Sequence, residues 1–355
     1  MRRLPLVRLL LAPLALLYGI GVFVRNFLYE SGLYKPVRFD VPVIVVGNLA
    51  VGGTGKTPHV EYLIRLLDPY INVGTLSRGY GRKTSGFRIV NATDNALTAG
   101  DEPLQFKRKF PDVTVAVGED RVTAIPRLMG HRPDLQVIIM DDGLQHLSVK
   151  PYLSMLLTAY SDPYFKDYLL PAGNLREWRS GASRADVIVV TKCPADLSET
   201  RRDAILNQIA PQPHQQVFFS RYRYGTPYFM YDSRQRLHLT KDVNILLVSG
   251  LASADYLVSY LKSVAGEVFI ADYPDHHPYT AGEIEDIAKM FANVPGSRKV
   301  IITTEKDAVR LDAHRNLVVE RRLPFFLLPV EVQFLFDEQP RFDTLIKQRL
   351  LDFTI

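Results

Sequence analysis

Residues 43–57 read Val-Ile-Val-Val-Gly-Asn-Leu-Ala-Val-Gly-Gly-Thr-Gly-Lys-Thr, and Pro58 follows. Four consecutive apolar residues suit a strand buried on both faces of a parallel sheet. The strand gives way to a loop carrying Gly52, Gly53, Thr54 and Gly55, then Lys56 and Thr57, and a helix begins at once. Glycines allow successive backbone N–H groups of such a loop to turn inward and cradle phosphates. Lys56 is then placed to reach β- and γ-phosphates, and the Thr57 hydroxyl to bind Mg²⁺. Ala50 stands where the usual pattern has its first glycine, but the three glycines after it keep the loop permissive. A glycine-rich strand–helix turn with no nucleotide is the other reading, and it leaves the Lys-Thr pair in register with the helix start unexplained.

Working outward, short apolar runs alternate with helix-length amphipathic segments. Val41–Val46, Ile71–Leu76, Val113–Val117, Val137–Met140, Ser154–Leu157 and Val187–Thr191 are predicted strands, and Pro58–Leu67 and Asp101–Phe110 are intervening helices. That pattern predicts a three-layer α/β domain with a P-loop NTPase-type parallel sheet over residues 39–215. Residues 216–240 change character: Val217–Tyr224, a turn at Gly225-Thr226-Pro227 and Tyr228–Leu239 read as a β-hairpin linker. Alternation resumes at Val243–Val248, with a turn at Ser249-Gly250 and a helix from about Ala252. Strands at Glu267–Ala271, Val300–Thr304 and Pro324–Pro329 complete a second, smaller α/β lobe, 241–355.

The first 38 residues differ from the rest. Between Arg8 and Arg25 lie 16 uncharged residues, which as a helix span about 24 Å, short of the ~30 Å bilayer core. Arg2, Arg3, Arg8, Arg25, Lys35 and Arg38 flank the run, and no small-residue cleavage site follows it. Basic residues at both ends fit a membrane-interface helix better than a core helix. The chain carries 43 Lys and Arg against 38 Asp and Glu. That mild excess suits an anionic surface but is too weak to argue for nucleic acid. A single cysteine, Cys193, forbids an intrachain disulfide and, beside a nucleotide signature, points to the reducing cytoplasmic side.

Val137–Gln145 reads V-I-I-M-D-D-G-L-Q, an apolar strand ending in two acids. After a phosphate loop, such a strand end is a metal site candidate, with Asp141 and Asp142 pointing different ways. Further landmarks follow in order: S-R-G-Y-G-R at 77–82, G-D-E-P at 100–103, D-D-G-L-Q-H at 141–146, L-P-A-G-N-L-R-E at 170–177, D-H-H at 275–277 and T-T-E-K-D-A-V at 303–309. With the loop at 46–58, this ordered set closely resembles the tetraacyldisaccharide 4′-kinase (lipid A 4′-kinase) family over nearly the whole chain. Asn174 and Trp178 stand where proline is common in that family.

The resemblance implies transfer of the ATP γ-phosphate, with Mg²⁺, to the 4′-hydroxyl of a tetraacyl glucosamine disaccharide 1-phosphate, a lipid A precursor. The place implied is the cytoplasmic leaflet of a bacterial inner membrane. Asp101 then becomes the base that takes the hydroxyl proton, with a histidine of the other lobe, His276 ahead of His277, as its partner. Read alone, Asp101 at a helix start would be an N-cap. Arg176 is implied as a phosphate clamp and Glu177 as a further Mg²⁺ partner, with Arg78 and Gln145 near the nucleotide; Arg82 is a weaker phosphate contact. A membrane-associated P-loop GTPase is the rival from another class. Guanine recognition needs Asp where Val187–Asp196 places Pro194, which argues against it. Another P-loop small-molecule kinase would have no use for residues 1–30.

Overall fold

Strand β1 (Val43–Gly47) lies inside a nine-stranded sheet, and every one of its residues is buried. After it come β2 (Val73–Ser77), β3 (Arg88–Ile89), β4 (Thr114–Val117), β5 (Val137–Asp141), β6 (Leu153–Ala159), β7 (Val187–Thr191) and β8 (Gln216–Tyr224). A six-stranded sheet uses β9 (Tyr228–Phe229), β10 (Asp232–Arg236), β11 (Asn244–Ser249), β12 (Val268–Asp272), β13 (Lys299–Thr304) and β14 (Phe325–Leu328), and β15 (Val330–Phe334) then returns to the first. The helices in chain order are α1 (Pro5–Glu30), α2 (Lys56–Leu67), α3 (Ala96–Ala99), α4 (Asp101–Lys109), α5 (Arg121–His131), α6 (Glu199–Ile209), α7 (Asp255–Val264), α8 (Ala281–Asn293), α9 (Glu305–Leu311), α10 (Arg315–Glu320) and α11 (Gln339–Leu351). These elements come from a computed structural model that describes residues 5–251 and 254–354. Arg2, Arg3 and the helix start expected at Ala252 lie outside the described residues.

The large sheet is ordered β15-β8-β7-β6-β1-β5-β2-β4-β3 and is parallel from β8 through β4. Side chains along β1 alternate between two cores, as strand geometry requires. Val43 and Val45 join one cluster, while Ile44 and Val46 join the other with Val60, Leu63 and Ile64 of α2. Each such fully buried aliphatic side chain contributes roughly 1.5–3 kcal/mol. Parallel pairing also puts strand ends at one edge. In register, Val46 lies beside Asp141 of β5, so the loop after β1 and the two acids after β5 emerge side by side. Ligands of open α/β sheets bind at that edge.

The segment 216–240 crosses between the sheets differently from the expected hairpin. Strand β8 pairs with β7 and β15 in the large sheet, and the hairpin is β9–β10, paired to β14 in the small one. The chain end also departs from the lobe drawn at 241–355. Strand β15 runs antiparallel to β8, and Phe342 and Ile346 of α11 enter the core cluster that holds α2. Phe218, Phe334 and Phe342 stack edge-on or face-on there, at 4.2–5.9 Å, which closes the large sheet from the carboxyl end.

Helix α1 is longer than the uncharged run inside it. At 26 residues it measures about 39 Å, enough by length and composition to cross a membrane. Leu9, Leu10, Leu14, Leu17, Ile20 and Phe23 are exposed on it, and among its described residues only Ala15, Gly19, Val22 and Asn26 are buried. Its inner side sits on the loop that carries Arg176–Trp178. The Tyr18 hydroxyl donates to the Arg176 carbonyl at 2.7 Å, and the Trp178 indole donates to the Gly19 carbonyl at 2.8 Å.

Candidate active site

The phosphate loop is held open by its glycines and by what packs on it. Gly52 and Gly55 have φ of 113° and 90°, a region that favours glycine. Any Cβ on Gly55 would also lie 2.6 Å from the Tyr222 hydroxyl. Thr191 donates to the Thr54 carbonyl at 2.8 Å and Lys192 to the Gly53 carbonyl at 2.5 Å, so the strand end of β7 steadies the loop from one side. Lys56 opens α2. Its ammonium lies 3.4 Å from Asn48 Oδ1 and 3.6 Å from Asp142 Oδ1, and it is partly exposed at the strand edge. Thr57 follows it, half-buried.

Asp141 and Asp142 point in different directions and have opposite electrostatics. Asp141 is buried, and its Oδ1 has no hydrogen-bond partner among the described residues. Burial lifts its carboxyl to about 7, with Lys56 and Arg121 pulling it down and Asp142 and Glu102 pushing it up. Asp142 has φ 51°, a strained value for a non-glycine residue. Burial works against its charge, but Arg176 grips it at 2.7 and 3.0 Å and Lys56 adds its field, so the carboxyl is held at about 2. Arg176 also reaches Asn48 at both its carbonyl and its side chain.

The state of Asp141 has a stability consequence. Its folded carboxyl titrates near 7 against 3.8 as the ordinary value, so the folded chain holds that proton more tightly than the unfolded chain. The associated stability is present in full below the unfolded pKa and is lost as pH rises through the folded one, on the order of a few kcal/mol. Asp141→Asn should therefore melt higher than the native chain at pH 8 without nucleotide or metal, by about a few degrees. The gap should close as pH falls toward 4, and thermal scans across that range check it. An unchanged or lower melting point at pH 8 would mean that the carboxylate is well solvated there.

Glu177 is fully buried and both carboxylate oxygens are taken: Gln145 donates to one at 2.8 Å and Arg184 to the other at 2.6 Å. Gln145 also donates to the Asn48 carbonyl at 2.9 Å, which links Glu177 to the base of the phosphate loop. Arg78 is exposed, with its charge felt at Arg121 and His146. Arg82 instead ties its own loop, bonding Glu119 at 2.5 Å and the Gly86 carbonyl at 2.6 Å.

The second lobe reaches this edge through Asp275–His277. Asp101 is the first residue of α4; Gly100 occupies the N-cap position, with φ 91°, where a Cβ would press on Gly79 and Tyr80 at 3.0 Å. The glycine-rich loop at 77–82 thus packs directly on the start of α4. Asp101 Oδ2 lies 2.9 Å from His276 Nδ1 and 3.3 Å from Arg310 Nε, joining α4 to two elements of the small lobe. His276 has φ 60° and its ring meets the edge of Tyr80. His277 points elsewhere, at 2.8 Å from Glu283 on α8. Glu102, next to Asp101, is near enough to raise the Asp141 carboxyl, which puts the Asp101–His276 pair close to the acids beside the phosphate loop.

Several residues at this edge carried no sequence signal of their own. Arg310 touches Asp101, and Lys306 donates to His276 Nε2 at 3.0 Å. Arg121 is buried; burial lowers its guanidinium to about 10 while Asp141 and Asp142 hold its charge, and its Nε and Nη2 have no hydrogen-bond partner among the described residues. None of the three belongs to a short motif that marks chemistry by spacing, although Lys306 falls inside the T-T-E-K-D-A-V run.

Comparison with known proteins gives a consistent picture. Residues 7–351 match the family described as tetraacyldisaccharide-1-P 4′-kinase. The chain is 43% identical to the tetraacyldisaccharide 4′-kinase of Phocaeicola vulgatus over 94% of its length and 93% of that protein. It is 44% identical to the one from Flavobacterium johnsoniae, covering 97% of each. Its fold is similar to the crystal structure of LpxK from Aquifex aeolicus in complex with ATP, with a TM-score of 0.74 at 28% identity, covering 97% of this chain and 99% of that one.

Proposed function

Since this chain belongs to the tetraacyldisaccharide-1-P 4′-kinase family, we propose a reading of how its own residues carry the reaction of that family. It is an ATP-dependent lipid A 4′-kinase, transferring the γ-phosphate to a hydroxyl of the lipid A precursor. The observation that supports this reading most is the pairing of Asp101 with His276 across the two lobes, beside the acids that flank the phosphate loop.

The loop at Gly52–Thr57 binds the phosphates through backbone N–H groups and the α2 N-terminus, and Lys56 meets the negative charge between the β- and γ-phosphates. The donor set suits Mg²⁺: a buried Asp141 oxygen, without a hydrogen-bond partner among the described residues, lies at the strand edge from which the phosphate loop emerges. Among the described residues no three His, Cys, Asp or Glu side chains are placed to hold a metal ion by themselves, so phosphate and water oxygens would complete its shell. Thr57 and Asp141 would hold it directly, with Asp142 and Glu177 behind them, fixed by Arg176, Gln145 and Arg184. When bound with the nucleotide, Mg²⁺ neutralises the phosphate oxygens that gain charge during transfer. Asp101 accepts the proton of the sugar hydroxyl while His276 holds the carboxylate in place, and Arg176 and Arg78 steady phosphate oxygens.

Helix α1 lays its exposed apolar side into the cytoplasmic leaflet of the inner membrane, with Arg8, Arg25, Lys35 and Arg38 toward anionic headgroups. One experiment tests both parts. The full chain and a chain lacking residues 1–30 are given γ-labelled ATP and the tetraacyl disaccharide 1-phosphate in anionic liposomes. The expected product carries label at the 4′-hydroxyl, and the deletion raises the apparent KM for lipid well above any change for ATP. Label elsewhere on the sugar contradicts the regiochemistry. Equal lipid KM in both chains contradicts the membrane role of α1.

A further inference from the structure

We propose that Lys306 is a positioning residue for the Asp101–His276 pair: it fixes the tautomer of the ring, so that the acceptor's proton goes to the carboxylate and not to the imidazole. This inference rests on the reading of that pair as the base and assigns the proton within it.

The T-T-E-K-D-A-V run forms the end of β13 and the first turn of α9. Thr304 caps the helix by accepting from the Asp307 N–H, and Glu305 binds Lys109 of α4 at 2.5 Å. That turn is therefore pinned against the large lobe, and Lys306 projects from it. The Lys306 ammonium lies 3.0 Å from His276 Nε2, 3.3 Å from Asp275 Oδ1 and 3.5 Å from Glu102 Oε1. Two carboxylates hold it in place, and the third contact is a ring nitrogen.

A lysine ammonium can only donate. Nε2 must then offer its lone pair, and the single N–H of a neutral imidazole falls on Nδ1, 2.9 Å from Asp101 Oδ2. The ring thus has no free basic nitrogen. Among the described residues the contacts of Asp101 fall on Oδ2, from His276 and Arg310, which leaves Oδ1 for a hydroxyl. The O–H bond of the acceptor breaks as its oxygen bonds to the γ-phosphorus, the bond from that phosphorus to the β-phosphate oxygen breaks to release ADP, and the proton passes to Asp101 Oδ1.

The charges facing the ring are Asp101 and Glu102 from α4, Asp275 from its own loop, and Lys306 and Arg310 from α9, with Tyr80 at the ring edge. Without Lys306, three carboxylates face one arginine and Nε2 is free. Either ring nitrogen can then carry the N–H, and a ring protonated on Nε2 no longer donates to Asp101.

The test is nitrogen-15 NMR of the full chain in detergent with labelled histidine, His276 being assigned by the signal lost in His276→Gln. The native ring should show a protonated Nδ1 and an unprotonated Nε2. In Lys306→Met the ring should become mixed in tautomer. Its kcat should fall about tenfold or more. Lys306→Arg, which still donates, should keep the native ring signals. A native ring protonated on Nε2 would overturn the inference, as would a Lys306→Met chain with native ring signals. These outcomes are read on the ring and stay distinct from failure of the base reading, which full turnover in Asp101→Asn would reveal.

Discussion

Replacing Lys56 by alanine is expected to lower phosphoryl transfer by about three orders of magnitude or more while leaving the fold intact. Lys56 starts α2 but packs into neither core, and among the described residues its ammonium touches only Asn48 and Asp142, at the strand edge. Helix α2 is held instead by Val60, Leu63 and Ile64. The loss should therefore fall on the chemical step. Lys56 is also the leading charge that holds the Asp141 carboxyl down, so its removal pushes that group further toward the protonated form and weakens the site for a cation as well. Single-turnover rates with saturating ATP, read beside a thermal melt, check this. A variant with near-native turnover would show that the loop does not handle the transferred phosphate.

Much of this site was legible in the sequence because its parts are local. A buried strand, a glycine loop and Lys-Thr at a helix start are adjacent in the chain, and the strand ending Asp141-Asp142 carries its own apolar run. The strands of the parallel sheet were legible for the same reason, since residues buried on both faces make unbroken apolar runs. Pairing partners were not. Val330–Phe334 alternates like any edge strand, and nothing local says that it returns to β8 while its neighbour β14 stays in the small sheet. The hairpin reading of 217–239 failed at the same point, because Gly225-Thr226-Pro227 turns the chain from one sheet to the other and does not fold β8 back on itself.

The same limit governs side chains that meet across the lobes. His276 and His277, adjacent in the chain, face different ways, toward Asp101 and Glu283. Lys306 and Arg310 come to Asp101 and His276 only because α9 packs on α4, a contact between residues some 200 positions apart, as in the Arg108–Asp312 pair. Trp178, which stands where proline is common in the family, donates its indole N–H to α1 at the Gly19 carbonyl.

The second large effect concerns Asp101 and His276. Alanine at either position is expected to lower kcat by about 10²–10⁴-fold with little change in ATP affinity. The double variant should be little worse than the worse single one, because two residues acting as a unit are not additive. Against this stands a purely structural role at the start of α4. Gly100 holds the N-cap position, so Asp101 contributes there only as an acid in the first turn, worth about 0.3–1 kcal/mol through the helix dipole. Asparagine would forfeit that and still fill the space.

Asparagine cannot accept a proton from a hydroxyl, whereas it can accept the hydrogen bond from His276. The direct measurement is kcat of Asp101→Asn in the full-length chain, with ATP and the lipid precursor both saturating. The pairing across the lobes predicts turnover within a few-fold of Asp101→Ala, in a protein that melts close to native. Native turnover in Asp101→Asn would contradict it and remove Asp101 from the chemistry.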